Sequence, residues 1–370
     1  MRYFRKSPFA QARLAWIDLI YWVRSWFYPV LPLPTKVHSI LIANPAHLGD
    51  AVITTAVIRA LKAANPQINI DILCGSWSKP IFDDHPGVHN IYTLDLPKLN
   101  RAALSQSEKK VIYDKGFEVL HNVLKNKQYD LVASVYAYEP SYISVISSLL
   151  KAPIVGFSSA GYSSLLTRSY NTMNLPWHEV QHQAKILESI LGEPLELARY
   201  TLWLPVTIKS VVSTKPYVVV HPGSGDASKE WDTECWRQVL EFLLAHQVNL
   251  VITGHGKREE VLAQSIAVDL KVENLVGKLS FAQFASCIEH ASLVISLDSV
   301  AAHIASAHSV PAITLALGKT QIHRWLPLGS QATLLDWHSR KKSGDQKLLI
   351  DLKHLIASKL PPLDSKEGAL

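Results

Sequence analysis

Residues 39–64 carry a short apolar run, a turn and a helical pattern in immediate succession, and that order limits what the chain can become. Ile40, Leu41, Ile42 and Ala43 are unbroken apolar residues, the pattern of a strand covered on both faces in a parallel sheet. From Asp50 the period changes. Val52, Ile53, Ala56, Val57, Ala60 and Leu61 recur at helical spacing, and Pro66 ends a helix that starts at Asp50 and runs to Ala64. The turn over residues 44–50 puts Gly49 and Asp50 at the carboxyl end of a strand and the amino end of a helix. Open α/β sheets bind ligands there, and helix N-termini attract anions. Asp50 reads equally well as the N-cap of that helix, and Gly49 as a residue chosen for a positive φ.

The alternation continues. Residues 68–73, 90–94, 129–134 and 154–157 read as strands, with helical stretches over 80–86, within 99–126 and over 142–150. An irregular stretch, 195–215, contains Pro205 and is flanked by Pro194 and Pro216, which marks it as the linker. The pattern then restarts. A strand at 217–221 leads through a glycine-rich loop, 222–229, into a helix carrying Trp236, Val239, Leu240 and Leu243. Further strands at 249–253, 293–297 and 312–317 end at Gly254, Asp298 and Gly318, and a helix over 299–307 bears His303. This is an α/β chain of two doubly wound, Rossmann-like domains. The expected division is 1–35, an N-terminal segment; 36–205, a first domain; 216–345, a second; and 346–370, a C-terminal helix and tail.

Composition narrows the class. The chain has 370 residues, 18% charged, and a net charge of +6, which favours anionic partners without the dense basic blocks of a nucleic-acid binder. Cys74, Cys235 and Cys287 are widely spaced and fit no disulfide or metal framework. Around residues 14–28, Trp16, Tyr21, Trp22, Trp26 and Phe27 are surrounded by Arg2, Arg5, Lys6, Arg13 and Arg24. With Asp18 and Arg24 inside it, this run is too short and too polar to span a bilayer, but it suits an amphipathic helix on a membrane surface. The alternative is a helix packed on the protein itself.

Two motifs need weighing. His178-Glu179-Val180-Gln181-His182 matches His-Glu-x-x-His, with Glu193 or Glu196 as a third ligand, but the chain is rich in histidine and a polar helix face is the better reading. The 222–229 loop is neither G-x-G-x-x-G nor a P-loop. Its Gly223 and Ser224 can still bring backbone N–H groups to a diphosphate, with Lys229 as counter-charge.

Taken together, Leu48-Gly49-Asp50 with Arg59-Ala60-Leu61-Lys62, then Leu165-Leu166-Thr167-Arg168, His178-x-Val180, His221-Pro222-Gly223, Lys229-x-Trp231 and Asp298-Ser299-x-x-x-His303-x-Ala305 resemble glycosyltransferase family 9, the heptosyltransferases of lipopolysaccharide core synthesis. Pro311, Gly318, Thr320, Trp325, Pro327 and Gly329 continue the likeness. The resemblance implies a GT-B fold with the two domains facing a central cleft, and a C-terminal helix that by analogy returns to the first domain. It implies metal-independent, inverting transfer of a heptose or related sugar from an ADP-sugar to a lipopolysaccharide or other cell-envelope glycan, with no cofactor. Asp50 would be the catalytic base. Gly223, Ser224, Lys229, Glu259 or Glu260, Asp298, Ser299 and His303 would hold the donor nucleotide. His47, Gly49, Arg59, Lys62 and Arg168 would serve the acceptor. The protein would sit peripherally on the cytoplasmic face of the inner membrane, with a lipid-linked oligosaccharide as acceptor and no nucleic acid partner. Val300, the 134–139 stretch and Ala316-Leu317 depart from the usual pattern. A sugar-nucleotide epimerase on the same fold, a non-catalytic membrane-associated scaffold and a zinc peptidase are the alternatives.

Overall fold

The computed structural model describes residues 7–27, 30–139, 141–158, 161–172, 174–192, 201–205, 208–317, 322–337 and 344–360. Arg2, Arg5, Lys6, Glu193, Glu196, Gly318, Thr320 and part of the expected linker lie outside them. The chain divides into two compact units, residues 1–205 and 206–370.

The first unit opens with α1 (Pro8–Ser25). It then builds β1 (Ser39–Asn44), α2 (Leu48–Ala64), β2 (Asn69–Cys74), α3 (Lys79–Phe82), β3 (Asn90–Thr93), α4 (Gln106–Leu124), β4 (Leu131–Ser134), α5 (Ser141–Leu149), β5 (Ile154–Phe157), β6 (Arg168–Tyr170) and α6 (Glu179–Leu191). Its six strands lie in the order β3-β2-β1-β4-β5-β6, every pair parallel. All four residues of the Ile40–Ala43 run are fully buried, as a central parallel strand requires.

The second unit contains β7 (Tyr217–His221), α7 (Thr233–Ala245), β8 (Asn249–Ile252), α8 (Lys257–Ile266), β9 (Glu273–Asn274), α9 (Phe281–Glu289), β10 (Leu293–Leu297), α10 (Val300–Ala307), β11 (Ala312–Ala316), α11 (Ile322–Trp325), β12 (Ala332–Asp336) and α12 (Gly344–Lys359). Its strand order, β12-β11-β10-β7-β8-β9, repeats the parallel plan. Val218, Val220, Leu250, Ile252, Ile295, Leu297, Ile313 and Leu315 form one core with α7, α8 and α12. The alternate residues of those strands, His221 and Ser296 among them, project to the opposite face.

Two readings change. Helix α2 begins at Leu48 with His47 as its N-cap, so Asp50 stands in the first turn of the helix and is not the cap. The edge strands β6, β9 and β12 were not read from sequence. They are two to five residues long, and edge positions do not demand an apolar run. Helix α12 buries Leu348, Leu349, Leu352 and Ile356 in the core of the second unit.

Candidate active site

In the first unit, functional side chains gather where β1 and β4 end and α2 and α6 begin. Asn44 shapes the turn after β1: its Oδ1 accepts the Ala46 N–H at 3.0 Å and its Nδ2 donates to Thr54 Oγ1 at 2.7 Å. Thr54 Oγ1 in turn lies 3.0 Å from the Asp50 carbonyl and 2.9 Å from Gln183 Oε1, which joins the start of α2 to α6. The Ala46 carbonyl accepts from Trp77 Nε1 and Ser78 Oγ at 2.7 and 2.8 Å. The turn that presents Asp50 is therefore held from three directions. Asp50 is the third residue of α2, in the first turn of the helix.

The neighbours of Asp50 show in the titration of Tyr136, just past β4. Burial raises the Tyr136 phenol, and the charges of Asp50 and then Glu179 raise it further, so it stays protonated and able to donate. His47 is lowered to about 4, first by burial and then by the charge of Arg101, so its imidazole is neutral at pH 7. Tyr136, Glu179 and Arg101 were not assigned to this site from sequence. The signal for Tyr136 was its place at a strand end, in a stretch that departs from the family pattern.

Other expected acceptor residues lie apart from Asp50. Arg59 and Lys62 are about 14 and 18 Å further along α2 at 1.5 Å per residue. Lys62 Nζ donates to the carbonyls of Pro66 and Ile68 at 3.1 and 2.7 Å, closing the end of its own helix. Arg59, Lys62, His85 and Trp203 line a separate cavity of about 370 Å³. Arg168 opens the edge strand β6 and pairs in register with Val155, at the amino ends of the strands rather than the carboxyl ends. In the His178 motif, His178 caps α6, its Nδ1 accepting the Val180 N–H at 3.1 Å, and His182 Nδ1 meets Thr172 Oγ1 at 2.9 Å. Among the described residues, no three His, Cys, Asp or Glu side chains gather as a metal centre requires.

In the second unit, the expected donor residues converge at the carboxyl ends of β7, β8 and β10. Lys229, in a short turn after the glycine-rich loop, pairs with Asp298 Oδ2 at 2.7 Å and lies 3.5 Å from the Asp298 carbonyl. Ser299 caps α10 without a side-chain cap bond, and its buried hydroxyl has no partner among the described residues. His303 is buried one turn into α10. Arg258 fixes the loop, donating to the Ser224 carbonyl and pairing with Glu230 at 2.7 Å.

Glu259 and Glu260 separate clearly. The Glu259 carboxylate accepts the His255 N–H at 2.8 Å and occupies the space beside Gly223 and Gly254. A Cβ on Gly223 would fall 2.2 Å from its Cδ, and one on Gly254 2.7 Å from its Oε2. Burial raises the Glu259 pKa, and the His255 N–H and the Arg258 charge oppose that rise. Glu260 points instead to Gly277, beyond β9, and lies 3.5 Å from Lys257.

With this geometry in view, comparison with known proteins is informative. The sequence profile of glycosyltransferase family 9 (heptosyltransferase) matches residues 119–353, more than half of the chain; the match starts beyond the Asp50 turn. Lipopolysaccharide heptosyltransferase 3 of Escherichia coli is 26% identical over 294 residues, 75% of this chain and 83% of its own. Lipopolysaccharide heptosyltransferase 2 of Salmonella typhimurium is 23% identical over 353 residues, covering 89% and 99%. Among solved structures, the E. coli heptosyltransferase WaaC with ADP superposes with a TM-score of 0.70 at 18% identity, over 87% of this chain and all of that one. A family 9 glycosyl transferase from Veillonella parvula gives 0.71 at 16% identity, over 89% of this chain. These likenesses agree with the two parallel-sheet units in assigning the GT-B fold. The chain belongs to glycosyltransferase family 9, and it is a glycosyltransferase.

Proposed function

We propose that the protein is an inverting transferase that moves a heptose or a closely related sugar from an ADP-sugar to a lipopolysaccharide core or another cell-envelope glycan. The observation that carries this reading is the placement of Asp50: it stands in the first turn of α2, just past β1, its backbone carbonyl tied into the Asn44–Thr54–Gln183 network and its charge acting on a protonated tyrosine. An acceptor hydroxyl is a poor nucleophile until its proton is taken, and Asp50 takes it. The hydroxyl oxygen then bonds to the anomeric carbon as the bond to the nucleotide diphosphate breaks on the opposite side. Tyr136 O–H donates to the acceptor and orients it.

In the second unit, Lys229 supplies positive charge to the leaving diphosphate. Asp298 holds that ammonium in place until the phosphates take over part of its pairing. The Ser299 hydroxyl and the N–H groups at the start of α10 donate to the same phosphates. Glu259, held beside two glycines, accepts from the ribose hydroxyls. Lys229 performs the charge compensation that a metal performs in other transferases, so the reading calls for no cofactor. Lipopolysaccharide heptosyltransferase relatives supply the heptose and the acceptor class. The reading places the protein peripherally on the cytoplasmic face of the inner membrane, where a nucleotide-sugar and a lipid-linked acceptor meet.

The test is Asp50→Asn. The amide keeps the size of the side chain and gives up at most about 1 kcal/mol of helix-dipole interaction, but it cannot take a proton. Turnover with ADP-heptose and a lipid-linked acceptor should fall by about 10² to 10⁴, with ADP affinity near that of the parent. Turnover within a few-fold of the parent would remove Asp50 as the base, and failure of the parent to bind ADP at all would remove the donor assignment.

A further inference from the structure

Helix α1 has two apolar sides. At about 100° per residue, Leu14, Ile17, Asp18 and Tyr21 fall on one side, and Phe9, Trp16, Leu19, Ile20 and Val23 on the other. The first side is fixed to the first unit. Leu14 is buried and lies against Gly161, and the Tyr21 and Tyr162 rings are 5.3 Å apart. Asp18 accepts from the Ser163 N–H at 3.0 Å and from the Ser163 hydroxyl at 3.4 Å. The second side is bare, with Phe9 82% and Trp16 64% exposed, and just past the helix Trp26 and Phe27 are 65% and 74% exposed. Asp18 is the one acid within residues 1–27, and it is buried, so Arg13 and Arg24 are the charged groups left on the exposed surface of α1.

Helix α4 repeats the arrangement. Its Tyr113, Phe117, Leu120 and Leu124 pack on the same core cluster that receives Ile17 and Tyr21 of α1. Val111, Val119 and Val123 remain exposed, Val119 at 64%. Lys110 pairs with Asp114 at 2.6 Å, Lys109 and Lys115 lie on the same helix as Glu108 and Glu118, and Lys125 and Lys127 follow it. Two helices packed on one cluster, on one face of a sheet, turn their outer sides away from the sheet on the same side of the unit.

We propose that the outer sides of α1 and α4 form one docking face for a lipid bilayer with anionic headgroups. The Trp and Phe side chains of α1 enter the interface, and the arginines of α1 and lysines of α4 meet the headgroups. This rests on the reading of a lipid-linked acceptor and adds where and how the first unit meets its membrane. Tryptophan flanked by arginine, with no exposed acid on α1, suits the headgroup layer better than a protein partner. Among the described residues no helix is long and apolar enough to cross a bilayer, so contact is lateral. Because Asp18 pins α1 to the unit, the bilayer orients the whole unit and does not merely tether it.

The test uses the full chain in vesicle flotation. One variant carries Trp16→Ser, Trp22→Ser and Trp26→Ser, and a second carries Val111→Gln, Val119→Gln and Val123→Gln. All six positions are exposed, and melting curves and ADP titrations should match the parent. Each set should lower partition onto phosphatidylglycerol-containing vesicles at least tenfold, and parental binding should weaken with salt and on pure phosphatidylcholine. Parental partition by the valine variant would confine docking to α1 and overturn the two-helix face. Equal binding to both vesicle types would overturn the electrostatic part. A parent that does not float but self-associates, with the tryptophan variant monomeric, would make the face a protein interface instead. A parent that floats without binding ADP would sink the proposed function alone, and one that binds ADP without floating would sink this inference alone.

Discussion

Glu259 and Glu260 are adjacent in sequence, and only the fold separates their chemistry. The first lies beside Gly223 and Gly254 with a backbone N–H on its carboxylate; the second faces Gly277 and Lys257. A charge-assisted hydrogen bond contributes about 1.5 to 3 kcal/mol, so Glu259→Gln should weaken ADP binding about tenfold or more. Glu260→Gln should leave it within about twofold. Calorimetric titration of the two variants decides, and the reverse pattern would move the ribose contact to Glu260. From sequence the two were indistinguishable, because one residue along an α-helix turns a side chain by about 100°. Lys229 stood out in the glycine-rich loop and Asp298 at a strand end, but their 2.7 Å pairing was not legible, because they are 69 positions apart. Lys62 carries the opposite lesson. Its place in a family-like motif pointed to the acceptor, whereas its ammonium is engaged by two carbonyls at the far end of α2.

At the scale of elements, the central strands were readable because burial on both faces demands unbroken apolar residues, and the helices because their period is distinct. The edge strands β6 and β9 escaped because little buried surface constrains their composition. The start of α2 was misplaced by two residues, since His47 caps the helix through its backbone conformation and makes no side-chain bond. The loop between β7 and α7 allows a sharp test. Gly223 does not have a positive φ, so Ala can adopt its backbone, but the added Cβ would land on the Glu259 carboxyl carbon. Gly223→Ala should therefore melt near the parental temperature and lose ADP affinity by about tenfold. Normal affinity would mean that Glu259 can leave its position at no cost to the nucleotide.

At the scale of the whole molecule, buried histidines contribute to the response to acid: among the described residues His47, His85, His221 and His308 are all lowered, chiefly by burial. His221 is lowered to about 4 by burial alone, with Nδ1 3.0 Å from Thr253 Oγ1. His47 and His85 are also lowered to about 4, chiefly by burial. In the unfolded chain an imidazole titrates near 6.5. As pH falls from about 6.5 to 4, the unfolded state takes up protons that the folded state refuses, so stability declines through that window. Each group contributes up to about 3 kcal/mol by its lower limit. Melting temperature should drop steadily between pH 7 and pH 4.5, and His221→Gln should flatten the slope. An unchanged slope in that variant would assign the acid response elsewhere. The two-unit plan was legible in the repeat of strand, turn and helix, but these burial-driven shifts were not, because they depend on how deeply the fold encloses each imidazole.

The positions of α1 and α12 in the chain have a consequence for biogenesis. α1 precedes every strand and α12 follows every strand, yet α12 supplies four side chains to the core of the second unit. A growing polypeptide therefore completes its first unit, with its tryptophan-bearing helix in place, before the second can close. If α1 docks on a bilayer as proposed, that contact becomes available before the second unit exists, so addressing precedes activity by the time taken to translate the second half.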